Sequence, residues 1–161
     1  MKSKYICILV LLMILCGCDS SKKVDTSNEK QKESYIVEID NIEINIDDEY
    51  VEDRIKGEKS QYEVTNCAIG GTNIVHIFDN VEITTYTNNK KELIYSIVFT
   101  NPSIASKNGI KLGLSKDEVV GILNNECEIE DSLITKDYGA YQLNIVLKDD
   151  VVISVEYLKN S

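Results

Sequence analysis

The side chain with the most versatile chemistry in this 161-residue chain is His76, its only histidine. A Ser-His-Asp or Cys-His catalytic arrangement would have to be built on it. His76 alternates with Val75 and Ile77 in a stretch typical of a β-strand, which favours a partly exposed strand residue over a general base. The chain has no HExxH or CxxC motif. We therefore predict no catalytic residue, no metal site and no cofactor.

Paired carboxylates are the second set of groups that could do chemistry. Acidic runs occur at 47–49, 52–53 and 149–150. Two converging carboxyl groups could act as the acid and the nucleophile of a glycosidase. A solvated helix start and a turn explain the same residues, and nothing in the sequence singles out two of them. An enzyme or accessory factor that acts on envelope carbohydrate stays open as an alternative.

The amino terminus has the pattern of an export signal. A basic start at Met1–Lys4 is followed by an apolar run at Ile6–Leu15, which is too short to span a bilayer stably. The closing Leu15-Cys16-Gly17-Cys18 resembles a bacterial lipobox. That resemblance implies cleavage of a signal peptide at 1–17 and a diacylglycerol thioether on Cys18. The expected location is the outer, extracytoplasmic face of the cell membrane, and two acyl chains suffice to hold a protein there.

The charge balance limits the possible partners. Removal of residues 1–17 takes away two lysines and no acid, so the mature chain carries 15 basic and 27 acidic residues and a formal charge of −12. Such a surface repels phosphates, so no nucleic-acid partner is expected. The 22 Ile and 14 Asn against three Ala indicate an AT-rich genome and a low-GC Gram-positive cell.

A flexible tether is predicted to separate the lipid from the folded part. Residues 18–34 contain one aliphatic side chain, Val24, among charged and small polar residues. This stretch buries too little apolar surface to offset the entropy of ordering. The segment 35–160 is long enough for one domain with a core.

An internal repeat divides that domain into two similar units, at about 40–104 and 105–160. Alternating apolar residues run into Asp47 in the first unit and into Ser115 in the second. Ser115 and Glu118 form a capping box, and Asp47 can cap a helix as well. Each start precedes a short apolar stripe: Val51 and Ile55 in the first unit, and Val119, Ile122 and Leu123 in the second.

Three strands are predicted to follow each helix. They lie at 73–78, 81–87 and 93–100 in the first unit, and at 133–137, 140–147 and 151–158 in the second. The predicted fold class is α+β, made of two tandem units of one helix plus a three-stranded antiparallel meander.

This order and one motif resemble a known superfamily. The run Gly109-Ile110-Lys111-Leu112-Gly113-Leu114-Ser115-Lys116-Asp117-Glu118-Val119 is similar to the entry motif of the superfamily that contains β-lactamase inhibitory protein and the small lipoprotein of the outer-membrane assembly machine. That resemblance implies protein–protein binding through an exposed sheet surface. The chain departs from it in having no recognisable inhibitor loop.

A narrower likeness covers residues 40–158. Asn66-Cys67-Ala68, Ile83-Thr84-Thr85-Tyr86, Ile94-Tyr95-Ser96-Ile97 and Gly109-Ile110 resemble a group of lipoproteins from Clostridia-type bacteria. The group has no defined activity, so this likeness implies a location and no chemistry.

Tyrosines and cysteines complete the candidate residues. Tyr86, Tyr95, Tyr141 and Tyr157 fall in predicted strands, where alternation sends some of them outward as binding residues and others into the core. Cys67 and Cys127 remain in the mature domain, as a possible extracellular disulfide or as two buried thiols.

These observations favour a lipid-anchored, extracytoplasmic binding protein without enzymatic activity. Its membrane partner is reached through the lipid on Cys18, and a protein or cell-wall partner is expected at the sheet face. A solute-binding or sensing lipoprotein is a further alternative.

Overall fold

The computed structural model describes residues 37–39, 42–52, 55–65, 71–139 and 141–160. They form ten strands and one α-helix: β1 (Val37–Ile39), β2 (Ile42–Ile44), β3 (Ser60–Thr65), β4 (Thr72–Ile77), β5 (Val81–Asn88), β6 (Lys91–Phe99), α1 (Lys116–Ile122), β7 (Glu128–Glu130), β8 (Leu133–Asp137), β9 (Tyr141–Lys148) and β10 (Val151–Lys159).

Eight strands form one antiparallel sheet in the order β3-β4-β5-β6-β10-β9-β8-β7, and β1 pairs with β2 alone. The sheet consists of two four-stranded meanders, β3 to β6 and β7 to β10. Their last strands pair with each other in the centre, where Val98 lies opposite Glu156 and Ser96 opposite Leu158. The two halves are therefore continuous through a single strand pair.

The six predicted meander strands are confirmed as β4 to β6 and β8 to β10. Period-2 alternation produces them: Val81, Ile83 and Thr85 of β5 are buried, and the residues between them are half-exposed. The turns between the last two strands of each half have positive φ, at Asn89-Lys90 (50° and 67°) and Asp149-Asp150 (53° and 59°). Asn and Asp tolerate this conformation better than other non-glycine residues, and two-residue turns of this hand match the strand twist.

The core lies on one face of the sheet. Ile83, Ile97, Leu143, Ile145 and Val155 of the central strands are fully buried there. Three elements contribute apolar side chains above them: the β1–β2 hairpin, the segment 46–55 and helix α1. The predicted capping box of α1 is confirmed, because Ser115 accepts from the Glu118 backbone and the Glu118 carboxylate accepts from the Ser115 backbone.

The predicted α+β class is wrong: the described fold is mostly β, with α1 as the one helix of the described ranges. The missing element is the first helix, since no described residue of 47–56 is helical. Asp47 has a φ of 66° and lies within a turn that the Asp48 amide closes by donating to the Asn45 carbonyl. The predicted stripe also fails, because Val51 is 51% exposed while Ile55 is buried.

Pairing with the sheet replaces that helix. The Asp47 and Tyr50 amides donate to the Ile94 and Glu92 carbonyls at 2.9 and 2.8 Å, and the Ile94 amide donates to the Asp48 carbonyl at 3.0 Å. A short helix without tertiary support is marginal in water. Hydrogen bonds to an open strand edge therefore outweigh a weak local helix pattern.

Two further differences concern strands. The alternating residues Ile110, Leu112 and Leu114 lie in an irregular segment with a turn at Leu112 rather than in a strand, and the backbones of Gly113 and Leu114 bond to Val152 of β10. The sheet also ends in two unpredicted strands, β3 and β7. Both lie at edges and are almost entirely exposed, so they lack the apolar alternation from which strands are predicted.

Candidate functional site

Asp47 lies where the two halves of the sheet meet. Strand β10 covers the β6 edge only from Ser96 to Val98. The segment that contains Asp47 pairs with the same edge further on, from Glu92 to Ile94. Asp47 is thereby placed against the carboxyl end of β10, next to residues that are distant in sequence.

The Asp47 carboxylate accepts three side-chain hydrogen bonds. Its Oδ1 accepts from the Tyr86 hydroxyl at 2.8 Å, and its Oδ2 from the Tyr141 hydroxyl at 3.2 Å and from Lys159 Nζ at 2.6 Å. Tyr86, Tyr141 and Lys159 belong to β5, β9 and β10. The carboxylate therefore ties three strands from both halves to the segment that pairs with β6.

Burial and the Asp47 charge shift the proton affinities around this carboxylate. Partial burial raises the pKa of Tyr86, and the hydrogen bond to Asp47 raises this pKa further. Burial and the negative charge of Asp47 likewise raise the pKa of Tyr141. Burial lowers the pKa of Lys159, but the hydrogen bonds to Asp47 and Tyr86 and the negative charge of Asp47 together outweigh burial, so the pKa of Lys159 is raised. Both phenols thus stay hydrogen-bond donors and the lysine stays a cation.

Three of the four predicted tyrosines meet here. The ring of Tyr95 packs edge-on against that of Tyr86, with centroids 6.1 Å apart, and Lys159 Nζ lies 5.5 Å from the Tyr86 centroid. We call Asp47, Tyr86, Tyr95, Tyr141 and Lys159 the Asp47 cluster.

The fourth predicted tyrosine, Tyr157, does not belong to a binding surface. Its side chain is fully buried and packs against Phe99, with ring centroids 5.9 Å apart. Burial raises the pKa of its hydroxyl. Tyr157 is therefore a core residue, so its candidacy as a binding residue is wrong.

His76 is also placed differently from the prediction, because it is 3% exposed rather than partly exposed. Its Nε2 lies 2.9 Å from Glu92 Oε1, and its Nδ1 lies 3.4 Å from Glu58 Oε1. The Tyr50 ring stacks on the imidazole at a centroid distance of 4.0 Å. The Tyr50 hydroxyl donates to Glu58 at 2.9 Å. Burial is the main cause that raises the pKa of Tyr50, and the bond to Glu58 raises it further.

This arrangement fixes structure and offers little room for chemistry. The two ring nitrogens of His76 face different carboxylates, so they cannot converge on one ion with them. Within the described ranges, no group of three or more His, Cys, Asp or Glu side chains could hold a metal. A shallow groove of about 640 Å³ runs beside Glu58 along residues 52 and 55–61. His76 thus anchors the segment above it to the sheet.

The acidic runs of the sequence are distributed among separate structural tasks. Asp48 accepts from the Asn45 amide at 2.9 Å, and Glu49 pairs with Lys91 at 2.6 Å. Asp149 and Asp150 form the β9–β10 turn. The structure does not bring these carboxylates together as a catalytic pair.

The sheet face opposite the core, here called the open face, is crossed by two rows of residues that lie in register. The central row is Ser60, Ile77, Glu82, Val98, Glu156, Asn144, Thr135 and Glu128. The second row is Tyr62, Val75, Thr84, Ser96, Leu158, Gln142 and Asp137.

The open face takes no part in the described core. None of the residues in the two rows belongs to the core cluster, and most are half-exposed, although Val75 and Ser96 of the second row are buried. The β1–β2 hairpin, the segment 46–55 and α1 all contribute to the other face. Among the described elements, the open face is therefore the large surface left for a partner.

Glu156 occupies the centre of that face on β10. Burial among its neighbours raises the pKa of its carboxyl, and a hydrogen bond to Asn144 opposes this only in part. Sequence patterns did not single out Glu156, because its neighbours Val98 and Asn144 lie on other strands.

The predicted lipidation site Cys18 and the predicted tether lie outside the described residues, as does Cys67. Cys127 is half-buried after α1. The possible Cys67–Cys127 disulfide therefore stays a prediction.

Comparison with known proteins gives no relative from which a function could be transferred. No family model, curated protein or solved structure matches the chain. Among the described residues, no helix has the length and apolarity to cross a membrane.

We predict that Asp47→Asn lowers the free energy of unfolding by about 1–3 kcal/mol, since it removes the charge that accepts from Lys159 and weakens two tyrosine bonds. Asparagine tolerates the positive φ at this position. Chemical denaturation measures the change. The control Asp79→Asn removes an equal charge from an exposed ion pair with Lys59 and should cost about 0–1 kcal/mol. Equal losses in the two variants would contradict a central role for Asp47.

A second prediction concerns pH. The folded-state pKa of Glu156 is raised, so the neutral carboxyl favours folding at low pH and this contribution is lost as the pH rises. Glu156→Gln mimics the neutral acid. It should raise the melting temperature at about pH 7 and leave it unchanged well below the ordinary glutamate pKa of about 4.3. Glu130→Gln on the exposed strand β7 should change neither value. Equal melting temperatures of Glu156→Gln and the parent at neutral pH would refute the burial penalty.

Proposed function

We propose that this chain is a lipid-anchored, extracytoplasmic binding protein that meets a protein or cell-wall partner through the open face of its sheet. The observation that carries this proposal is the asymmetry of the sheet. One face holds the described core, and the other presents two registered rows that lie outside the core cluster, in which all residues but the buried Val75 and Ser96 are half-exposed or exposed.

The size of the open face suits such a role. Eight strands at a spacing of about 4.8 Å span roughly 34 Å, and five or six residues along each strand other than the three-residue β7 cover about 18 Å. The product, roughly 600 Å², approaches the area of about 800 Å² that each partner contributes to a standard interface. A protein or an extended polymer can cover a surface of this size.

The composition of the open face supports binding as well. Tyr62 is 48% exposed in the second row, and the half-exposed Tyr86 lies at one end of β5 beside Tyr95. Tyrosine combines a large contact area with a polar tip, and interfaces are enriched in it. Because Asp47 holds the Tyr86 hydroxyl, the ring is ordered before a partner arrives, which lowers the entropic cost of binding.

The carboxylate chemistry favours binding over hydrolysis. A glycosidase needs two carboxyl groups across a space that admits a sugar. In this structure Asp47 is engaged by two tyrosines and a lysine, and Glu49 by Lys91. Glu58 and Glu92 flank the imidazole of His76. These acids are committed to holding the fold together.

The anchoring part of the proposal rests on Leu15-Cys16-Gly17-Cys18. Cys18→Ala should abolish incorporation of a labelled fatty acid and move the protein from the detergent phase to the aqueous phase, because the thioether cannot form. Cys127→Ala is the matched control and should keep both properties. Lipid labelling that persists in Cys18→Ala would refute the anchor.

Photocrosslinking in intact cells of the source organism tests the open face. Benzoylphenylalanine at Tyr62 or Thr84, both in the second row, should give a discrete crosslinked product. The same amino acid at Asp117, on the exposed side of α1, should give none. Equal crosslinking from the two surfaces, or none from the open face, would contradict the proposed function.

A further inference from the structure

The central row of the open face carries an unbalanced negative charge. Glu82 and Glu156 lie on either side of Val98 on neighbouring strands, and Glu128 ends the same row. Cross-strand neighbours are about 4.8 Å apart, so Glu82 and Glu156 begin roughly 10 Å from each other with an apolar residue between them.

No described cation balances these carboxylates. Of the ion pairs among the described residues, none includes Glu82 or Glu156. The described lysines lie in loops and turns, on helix α1, at strand ends or, for Lys136 of β8, on the core face. His76 also belongs to the core face, beside Thr85. The middle of the open face is therefore acidic and free of positive side chains within the described ranges.

Glu156 is the residue that least fits a purely structural role. Its described hydrogen-bond partner is the neutral side chain of Asn144, and burial raises the pKa of its carboxyl. Leu158 lies two residues along the same strand, and Val98 lies opposite. A half-buried carboxylate that lies beside Val98 and Leu158 and lacks a counter-charge is costly when the protein is alone, and a cation that arrives with a partner removes that cost.

We infer that the open face recognises a positively charged segment of a partner protein, with one lysine or arginine seated over Val98 between Glu82 and Glu156. This inference rests on the proposed function and gives the partner its chemistry. The apolar residues beside the two carboxylates, Val98 and Leu158, exclude water from the ion pair, as the rim of a binding hot spot does.

The negative charge of the open face favours a basic protein segment over a second copy of the chain or an anionic polymer. Two copies of the chain that met face to face would bring their glutamates together, which disfavours a symmetric dimer. Anionic polymers are repelled by the same groups. A basic protein segment is attracted by both the local row and the formal charge of −12 expected for the mature chain.

The test repeats the crosslinking at Thr84 in three backgrounds: the parent chain, Glu82→Gln with Glu156→Gln, and a control with Glu38→Gln and Asp117→Asn. Both double variants remove two negative charges, and the control does so away from the open face. The crosslinked product should fall at least tenfold in Glu82→Gln with Glu156→Gln and stay unchanged in the control. Peptide mapping of the product should place a lysine or arginine at the crosslinked segment.

Charge reversal completes the experiment. Glu156→Lys should abolish the product, and substitution of glutamate for the mapped cation of the partner should restore it. A product that persists in Glu82→Gln with Glu156→Gln, a mapped segment without a cation, or a product made of two copies of this chain or of wall glycan would overturn the inference. A persistent product, a mapped segment without a cation and a product made of two copies of this chain would each still show that the open face binds protein. Absence of any product from the parent chain would instead remove the proposed function itself.

Discussion

The β6 edge is the constraint on which the rest of this structure depends, because two segments share it. Strand β10 pairs with residues 96–98, which joins the two meanders into one sheet, and the segment around Asp47 pairs with residues 92–94. The second pairing brings Asp47 within reach of Tyr141 and Lys159 and holds Tyr50 over His76. The joined sheet, the covered core and the uncovered opposite face all follow from the division of this one strand.

Sequence patterns correctly predicted those elements whose residues form them through interactions with near neighbours in sequence. Alternation located β4 to β6 and β8 to β10, and the Ser115 capping box located α1. The helix expected at Asp47 is wrong because the same apolar and acidic residues also suit an extended segment, and the β6 edge supplied its partners. The edge strands β3 and β7 were missed because exposed strands carry no core-facing stripe.

In the candidate site, too, residues recognisable from their own strand were predicted, whereas a partner distant in sequence was missed. Tyr86, Tyr95 and Tyr141 were predicted from residue type and strand position, but that reasoning could not separate them from the buried Tyr157. Asp47 was missed as the common partner of Tyr86, Tyr141 and Lys159, because it lies 39, 94 and 112 residues away from them in sequence. Only the pairing across the sheet makes such residues neighbours.

Stability and partner binding favour different side chains at the position of Glu156. A glutamine at this position would keep the bond to Asn144 and avoid the cost of a partly buried charge, so packing alone favours the neutral side chain. The chain meets its structural need for negative charge elsewhere, at Asp47, Glu58 and Glu92, where tyrosine, histidine or lysine satisfies each carboxylate. A carboxylate on the open face that has no such counterpart is best explained by a positive group that comes from another molecule.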